Sequence, residues 1–195
     1  TIALSAAVGL VLLAIVGAYW ALGRGQPVIS VKPGVGLTIR HRATLRGHTD
    51  AVWSVAFSPD DRTLASAGVD KTIKLWDVAA AHETQQLKGH RAEVRCVTFA
   101  PDGRTLVSSG NDRSIMIWDR ATGDLQRQIR GHAGDVRSVT FLPDGNRLVS
   151  GSVDKTIRFW DPQSGSEENG IEAHKAAVQC VACSTAGATL SSASD

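Results

Sequence analysis

Serine, histidine and aspartate recur together along this sequence at constant spacing. The first set is His48, Ser66 and Asp70. A serine beside a histidine base that a carboxylate orients is the combination that activates a nucleophile in hydrolases. The same set returns twice at intervals of 42 residues, as His90, Ser108 and Asp112, and then as His132, Ser150 and Asp154. Three identical sites at one fixed interval favour a structural role, so we predict no catalytic residue, no cofactor and no metal site.

The interval of 42 residues governs most of the chain. Gly-His pairs stand at 47–48, 89–90 and 131–132, and Ala173-His174 is a degenerate fourth copy. Trp-Asp pairs follow each full copy at 76–77, 118–119 and 160–161. Apolar positions keep the same phase, for example Leu64, Leu106, Leu148 and Leu190. A period of this length with so many matching columns identifies an internal repeat.

Each repeat reads as short strands joined by tight turns. The segment AVWSVAFS, which begins at Ala51, is rich in β-branched and aromatic residues. It is followed by PDDR, a turn sequence in which proline presets φ. TLASAG and IKLWDV then predict a second and a third strand, and LQRQIR in the next repeat is typical of a fourth. The sequence therefore predicts an all-β chain with four strands per repeat.

Residues 37–195 resemble the WD-repeat (WD40-type) β-propeller family in repeat length, strand number and the Gly-His and Trp-Asp pairs. The resemblance implies three complete blades, at about 47–88, 89–130 and 131–172, and a partial one at 173–195. It also implies that tryptophan, serine, histidine and aspartate form a structural hydrogen-bonded tetrad in each blade. The residues assigned to tetrads are His48, Ser66, Asp70, Trp76, His90, Ser108, Asp112, Trp118, His132, Ser150, Asp154, Trp160, His174 and Ser192.

The fourth repeat departs from the pattern. Thr185 replaces the turn proline and Cys183 replaces the phenylalanine of the other repeats. Since a propeller typically takes four to eight blades, we expect this sequence to be part of a longer chain. Closure of the ring by self-association is the alternative. The segment 37–46 resembles a fourth-type strand and is expected to pair with the last blade.

The first 22 residues differ in kind from the repeats. Residues 2–22 carry no charge, and at about 1.5 Å per residue a helix of this length spans a bilayer core. A secretory signal or a buried helix competes with this interpretation. Tyr19, Trp20 and Arg24 are of the types that anchor a helix at the interface. We predict a single-pass transmembrane helix at 1–22, which contacts the lipid bilayer through residues 2–22, and a Gly/Pro linker at 23–36. The side of the membrane on which the repeats lie is left open.

The charge and the cysteines exclude some classes of function. The net charge is +2, but residues 1–42 hold four of the 21 basic residues and no acid, so residues 43–195 carry 17 − 19 = −2. A nucleic-acid partner is therefore not expected, and no motif for a small-molecule substrate is present. Cys96, Cys180 and Cys183 fit neither a disulfide framework nor a paired zinc site, and are predicted to be buried thiols.

The resemblance implies a non-catalytic protein–protein interaction scaffold, here tethered to a membrane. Its contacts with a protein or peptide partner would lie where the inner strands begin. Tryptophan and arginine there are typical of binding hot spots, although the arginines could instead pair with neighbouring acids. The candidate partner-binding residues are Trp53, Glu93, Arg95, Asn111, Asp135, Arg137 and Gln179. The alternative function is the docking or sensory region of a larger membrane enzyme, such as a bacterial serine/threonine protein kinase with its catalytic domain upstream.

Overall fold

The computed structural model describes residues 43–195 except 185 and 188, and this part of the chain is built from strands. The first two repeats contain β1 (Val52–Phe57), β2 (Thr63–Gly68), β3 (Thr72–Asp77), β4 (His82–Lys88), β5 (Val94–Phe99), β6 (Thr105–Gly110), β7 (Ser114–Asp119) and β8 (Leu125–Arg130). The remainder contains β9 (Val136–Phe141), β10 (Leu148–Ser152), β11 (Thr156–Trp160), β12 (Glu167–Glu172), β13 (Val178–Cys183) and β14 (Leu190–Ser194). The predicted all-β class is confirmed.

Consecutive strands pair antiparallel to give one sheet per repeat. The sheets are β1-β2-β3-β4, β5-β6-β7-β8 and β9-β10-β11-β12, followed by the two-stranded sheet β13-β14. We call these sheets blades 1 to 4. The end at which β1, β5, β9 and β13 begin is the upper face, and the opposite end is the lower face.

Tight turns join the strands, and left-handed backbone conformations recur in them. On the lower face the turn between the first two strands of a blade places Asp61, Gly103 or Gly145 at positive φ. Glycine adopts this conformation without steric cost, and aspartate tolerates it better than most residues. The Pro-Asp-Gly turns predicted from the sequence therefore have the backbone that their composition favours.

The core lies between neighbouring blades. The inner strand β5 packs against β1 on one side and β9 on the other, and β9 also packs against β13. Val94, Val97, Val136 and Val139 on these strands are at least 98% buried. A fully buried valine contributes about 1.5–3 kcal/mol relative to an exposed one. Stacking of the blades thus supplies apolar burial that no single sheet could provide for its own faces.

Part of the predicted organisation lies outside the described residues. This applies to the membrane span at 2–22 and to the linker at 23–36. Among residues 43–195, apart from the two gaps, no helix is long and apolar enough to cross a bilayer. The predicted strand at 37–46 is described only from Ala43, and residues 43–46 form no strand. For these four residues the prediction was wrong, because a chain segment becomes a strand only when a neighbour pairs with its backbone.

Candidate functional site

In each of blades 1 to 3 the recurring side chains form one hydrogen-bonded chain. In blade 2 the indole Nε1–H of Trp118 donates to Ser108 Oγ at 2.8 Å, and Ser108 Oγ lies 2.8 Å from Nε2 of His90. His90 Nδ1 lies 2.9 Å from a carboxylate oxygen of Asp112. Blades 1 and 3 repeat the three contacts at 2.7–2.8 Å. The chain connects the second and third strands of a blade to the loop that precedes its first strand.

The groups in this chain fix each other's roles. A carboxylate only accepts, so the histidine Nδ1–H donates to aspartate, Nε2 accepts from the serine hydroxyl, and the serine oxygen accepts from the indole. Burial lowers the pKa of His132 and outweighs the opposing effect of Asp154, so that the neutral ring is favoured. Burial alone would raise the pKa of Asp154, but hydrogen bonds from Thr156 and His132 outweigh it and hold that pKa well below its usual range. The result is a neutral histidine paired with an ionised aspartate.

The burial of the serines argues against nucleophilic catalysis. Ser108 and Ser150 have no exposed surface, and Ser66 is 96% buried. A nucleophile must reach the substrate and have a donor pair for the developing oxyanion. Here the hydroxyl is surrounded by the protein and already bonded on both sides. The arrangement can hold strands in register, and we propose that this is its role.

Blade 4 retains half of this arrangement within the described residues. His174 Nε2 lies 2.7 Å from Ser192 Oγ, and the Ser194 hydroxyl lies 3.1 Å from His174 Nδ1. A hydroxyl group therefore stands beside Nδ1 where the other blades have a carboxylate.

A β-bulge sets the direction of the candidate partner-binding residues. The register between the first two strands shifts at the second residue of each inner strand. An unpaired residue at a bulge turns its side chain away from the ladder. The residues at these bulges are Trp53, Arg95, Arg137 and Gln179.

The bulge residues of blades 1 and 2 are in contact on the upper face. The guanidinium carbon of Arg95 lies 4.4 Å from the centroid of the Trp53 ring, which is 47% exposed. Arg95 also contacts Glu93 at 3.0 Å and donates through Nε to Asn111 Oδ1 at 2.9 Å. The Asn111 amide in turn donates to Glu93 at 3.0 Å. Glu93 and Asn111 thus fix the position of the Arg95 guanidinium, which stacks on the Trp53 ring, and about half of the Trp53 side chain remains exposed to solvent.

The neighbouring positions are bound more loosely. Arg137 lies 4.0 Å from Asp135, and its buried Nε has no hydrogen-bond partner among the described residues. Burial lowers the pKa of Arg95, and the charge of Arg137 lowers it further, although Arg95 stays protonated. Gln179 donates to Asp195 at 2.7 Å. The upper face therefore combines an exposed indole with two mutually repelling arginines.

The cysteines are free and partly exposed, so the prediction of buried thiols was too strong. Cys96 still packs against the core of blades 2 and 3, and burial raises the pKa of its thiol. At the equivalent positions Ser54 and Ser138 accept from the backbone N–H of Val97 and Val181 in the next blade, at 3.1 and 3.2 Å. The sequence analysis missed these hydrogen bonds between blades, although a small residue stands at this position in every repeat and indicated close packing there.

Arg120, on the lower face, was also missed. It is an arginine where the first and third repeats have Val78 and Pro162. This difference between equivalent positions of the three repeats was the only indication of its role in the sequence. In the structure it links blades 1 and 2, lying 3.2 Å from Asp60 and 2.8 Å from the Thr63 hydroxyl.

Comparison with known proteins agrees with this geometry. The model of the WD domain, G-beta repeat family matches residues 39–77, 82–119 and 123–161, which is more than half of the chain. Human Striatin-4 is 49% identical over 37 residues, 19% of this chain and 5% of that protein. The Arabidopsis thaliana Notchless protein homolog is 42% identical over 53 residues, 27% and 10% of the two chains. An uncharacterized WD repeat-containing protein of Synechocystis is 51% identical over 45 residues, 23% and 13%.

The matched segments thus span a small part of each relative. With the family match covering more than half of its length, the chain belongs to the WD domain, G-beta repeat family.

Proposed function

We propose that this chain is a protein-binding scaffold whose partner docks on the upper face of blades 1 to 3. The observation that carries the proposal is the Trp53 ring, half exposed and stacked on Arg95. A large apolar ring is costly to leave in water, and tryptophan and arginine are the types enriched where binding energy concentrates. Membership of the WD domain, G-beta repeat family also supports a binding role.

The chemistry of the patch favours an extended peptide that carries a carboxylate. Arg95 and Arg137 repel each other, and an acidic side chain placed between them would relieve that repulsion. Glu93 and Asp135 flank them and neutralise part of the charge at present. The indole of Trp53 would cover an apolar residue of the same peptide. This site contacts its partner through rigid strand ends, which limits the conformational entropy lost on binding.

A selection with random peptides on the full chain tests the proposal. We expect enrichment of peptides with an acidic residue near an apolar one. Trp53→Ala with Arg95→Ala should lose the selected peptides by about tenfold or more, as removal of hot-spot residues does. Arg104→Ala, which removes an exposed arginine from the lower face, is the matched control and should bind normally. Equal binding by the double variant and wild type would refute the assignment of this face.

We also propose that residues 2–22 tether the module to a membrane. The support comes from the sequence, through an uncharged run of bilayer length bordered by Arg24.

A further inference from the structure

The guanidinium of Arg120 occupies a defined site between blades 1 and 2 on the lower face. Its Nη2 donates to the Thr63 hydroxyl at 2.8 Å and lies 3.2 Å from Asp60 Oδ2. Its Nη1 donates to the carbonyl of Gly103 at 3.1 Å. The guanidinium carbon lies 5.7 Å from the centroid of Phe99. A carboxylate, a hydroxyl, a carbonyl and an aromatic ring thus bind one planar cation.

The same acceptors stand between blades 2 and 3, one repeat later. They are Asp102, Thr105 and Gly145, with Phe141 as the ring. The residue equivalent to Arg120 is Pro162, which cannot reach them with a charged group. Asp102 Oδ1 accepts from the backbone of Arg104. In the described part of the chain, Asp102 Oδ2, the Thr105 hydroxyl and the Gly145 carbonyl take part in no hydrogen bond.

A cavity of about 470 Å³ lies at this second position. Next to Arg120, between blades 1 and 2, the cavity measures about 200 Å³. All six residues that line the smaller cavity have their equivalents, 42 residues later, in the lining of the larger one. The larger cavity extends further, over Asp102 and Phe141, where Arg120 fills the equivalent space. Its volume falls within the range of ligand pockets in proteins.

We propose that this cavity binds the guanidinium of an arginine side chain from a partner protein. Asp102, Thr105 and Gly145 occupy positions equivalent to the carboxylate, hydroxyl and carbonyl that Arg120 binds, and such a set suits a planar fork of donors better than the single ammonium of lysine. Phe141 supplies a ring for the cation, as Phe99 does for Arg120. Asp102 and Asp144 line the cavity together with one cation, Arg127, whose Nη1 already donates to the Ser164 carbonyl at 3.0 Å.

This site is independent of the upper face. The lower-face turns and Trp53 lie at opposite ends of the same antiparallel strands, because Val52 pairs with Gly68 and Phe57 pairs with Leu64. The cavity lies at the lower end of blades 2 and 3, and Trp53 lies at the upper end of blade 1, so a single side chain bound in the cavity does not contact Trp53. Failure of either proposal leaves the other standing.

Titration of the ¹⁵N-labelled full chain with blocked arginine, N-acetylarginine methylamide, tests the inference. We expect amide shifts confined to the segments that line the cavity, at 100–105, 117, 126–127, 141–146 and 163. Blocked citrulline, which has nearly the same shape without the charge, should bind at least about tenfold more weakly. Asp102→Asn should weaken blocked arginine to a similar degree. Asp60→Asn, the matched change between blades 1 and 2, should leave this binding unchanged.

Pro162→Arg provides a second, independent measurement. Its new side chain should occupy the cavity as Arg120 occupies the other one, abolish the shifts from blocked arginine and raise the urea midpoint of unfolding. The proposal is overturned if blocked arginine causes no local shifts up to about 20 mM. It is equally overturned if citrulline causes the same shifts, or if Pro162→Arg leaves them in place.

Discussion

Replacing Ser108 by alanine separates hydrogen bonding from packing at the centre of blade 2. Ser108 Oγ accepts from Trp118 Nε1 and bonds to His90 Nε2, both at 2.8 Å. Both partners are buried, with Trp118 at 1% exposure. Alanine would leave an indole donor and an imidazole acceptor without partners or water. Each orphaned group costs about 1–3 kcal/mol, so the free energy of unfolding should fall by about 2–6 kcal/mol.

Ser109 is the matched control one residue away. It is also fully buried, but its hydroxyl has no hydrogen-bond partner among the described residues. Ser109→Ala also removes one serine hydroxyl from β6, so the loss of side-chain volume is nearly equal in the two variants. Since an unsatisfied buried hydroxyl is itself unfavourable, this variant should be neutral or more stable by about 1 kcal/mol.

Urea denaturation of the full chain measures both variants. The two midpoints should move apart, with the slope of free energy against urea concentration unchanged. Exchange of the Trp118 indole proton should also accelerate in Ser108→Ala and not in Ser109→Ala. Equal midpoints in the two variants would show that packing, and not the hydrogen-bonded chain, stabilises this strand.

Two further predictions concern pH and the membrane. Burial depresses the pKa of His132 below 6.5, so the unfolded chain binds more protons below that pH and stability should fall as the pH drops from 7.5 to 5.5. Urea midpoints at the two pH values measure this loss of stability. If the His132→Asn variant lost as much stability between pH 7.5 and 5.5 as the wild type, the pH dependence would not come from His132. Residues 2–22 should keep the full chain in membranes during alkaline carbonate extraction. Leu12→Arg should release it, and extraction of the wild-type chain would refute the tether.

The four-stranded blades could be predicted from the sequence because the same pattern of strand and turn residues recurs every 42 residues. The β-branched and aromatic segments and the turns that contain Pro-Asp predicted the strands of each blade. The spacing of His90, Ser108 and Trp118 places them on adjacent strands and the preceding loop, where their side chains meet. The strand prediction was wrong for residues 43–46, because the sequence of a segment does not show whether a partner strand lies beside it.

Contacts between blades were harder to predict, because they depend on distances that no single repeat determines. The stacking of Arg95 on Trp53 joins side chains 42 residues apart and requires bulges that redirect both. The bond from Val97 to Ser54 requires two inner strands to lie side by side. The sequence could therefore name Trp53 and Arg95 as candidates, whereas the stacking of the exposed indole on Arg95 depends on how the two blades pack.

Comparison of equivalent positions separates structural residues from those that give each blade its own properties. Where three repeats place the same serine in the same buried hydrogen bonds, the structure of the blade requires that serine. Where the repeats place Val78, Arg120 and Pro162 at one position, the blade does not dictate the residue. Arg120 shows what the surrounding acceptors bind when a guanidinium is within reach. Pro162 leaves equivalent acceptors beside a larger cavity, and desolvating unpaired polar groups is costly. The site between blades 2 and 3 is therefore better satisfied by a cation supplied from outside than by contact with a neutral surface.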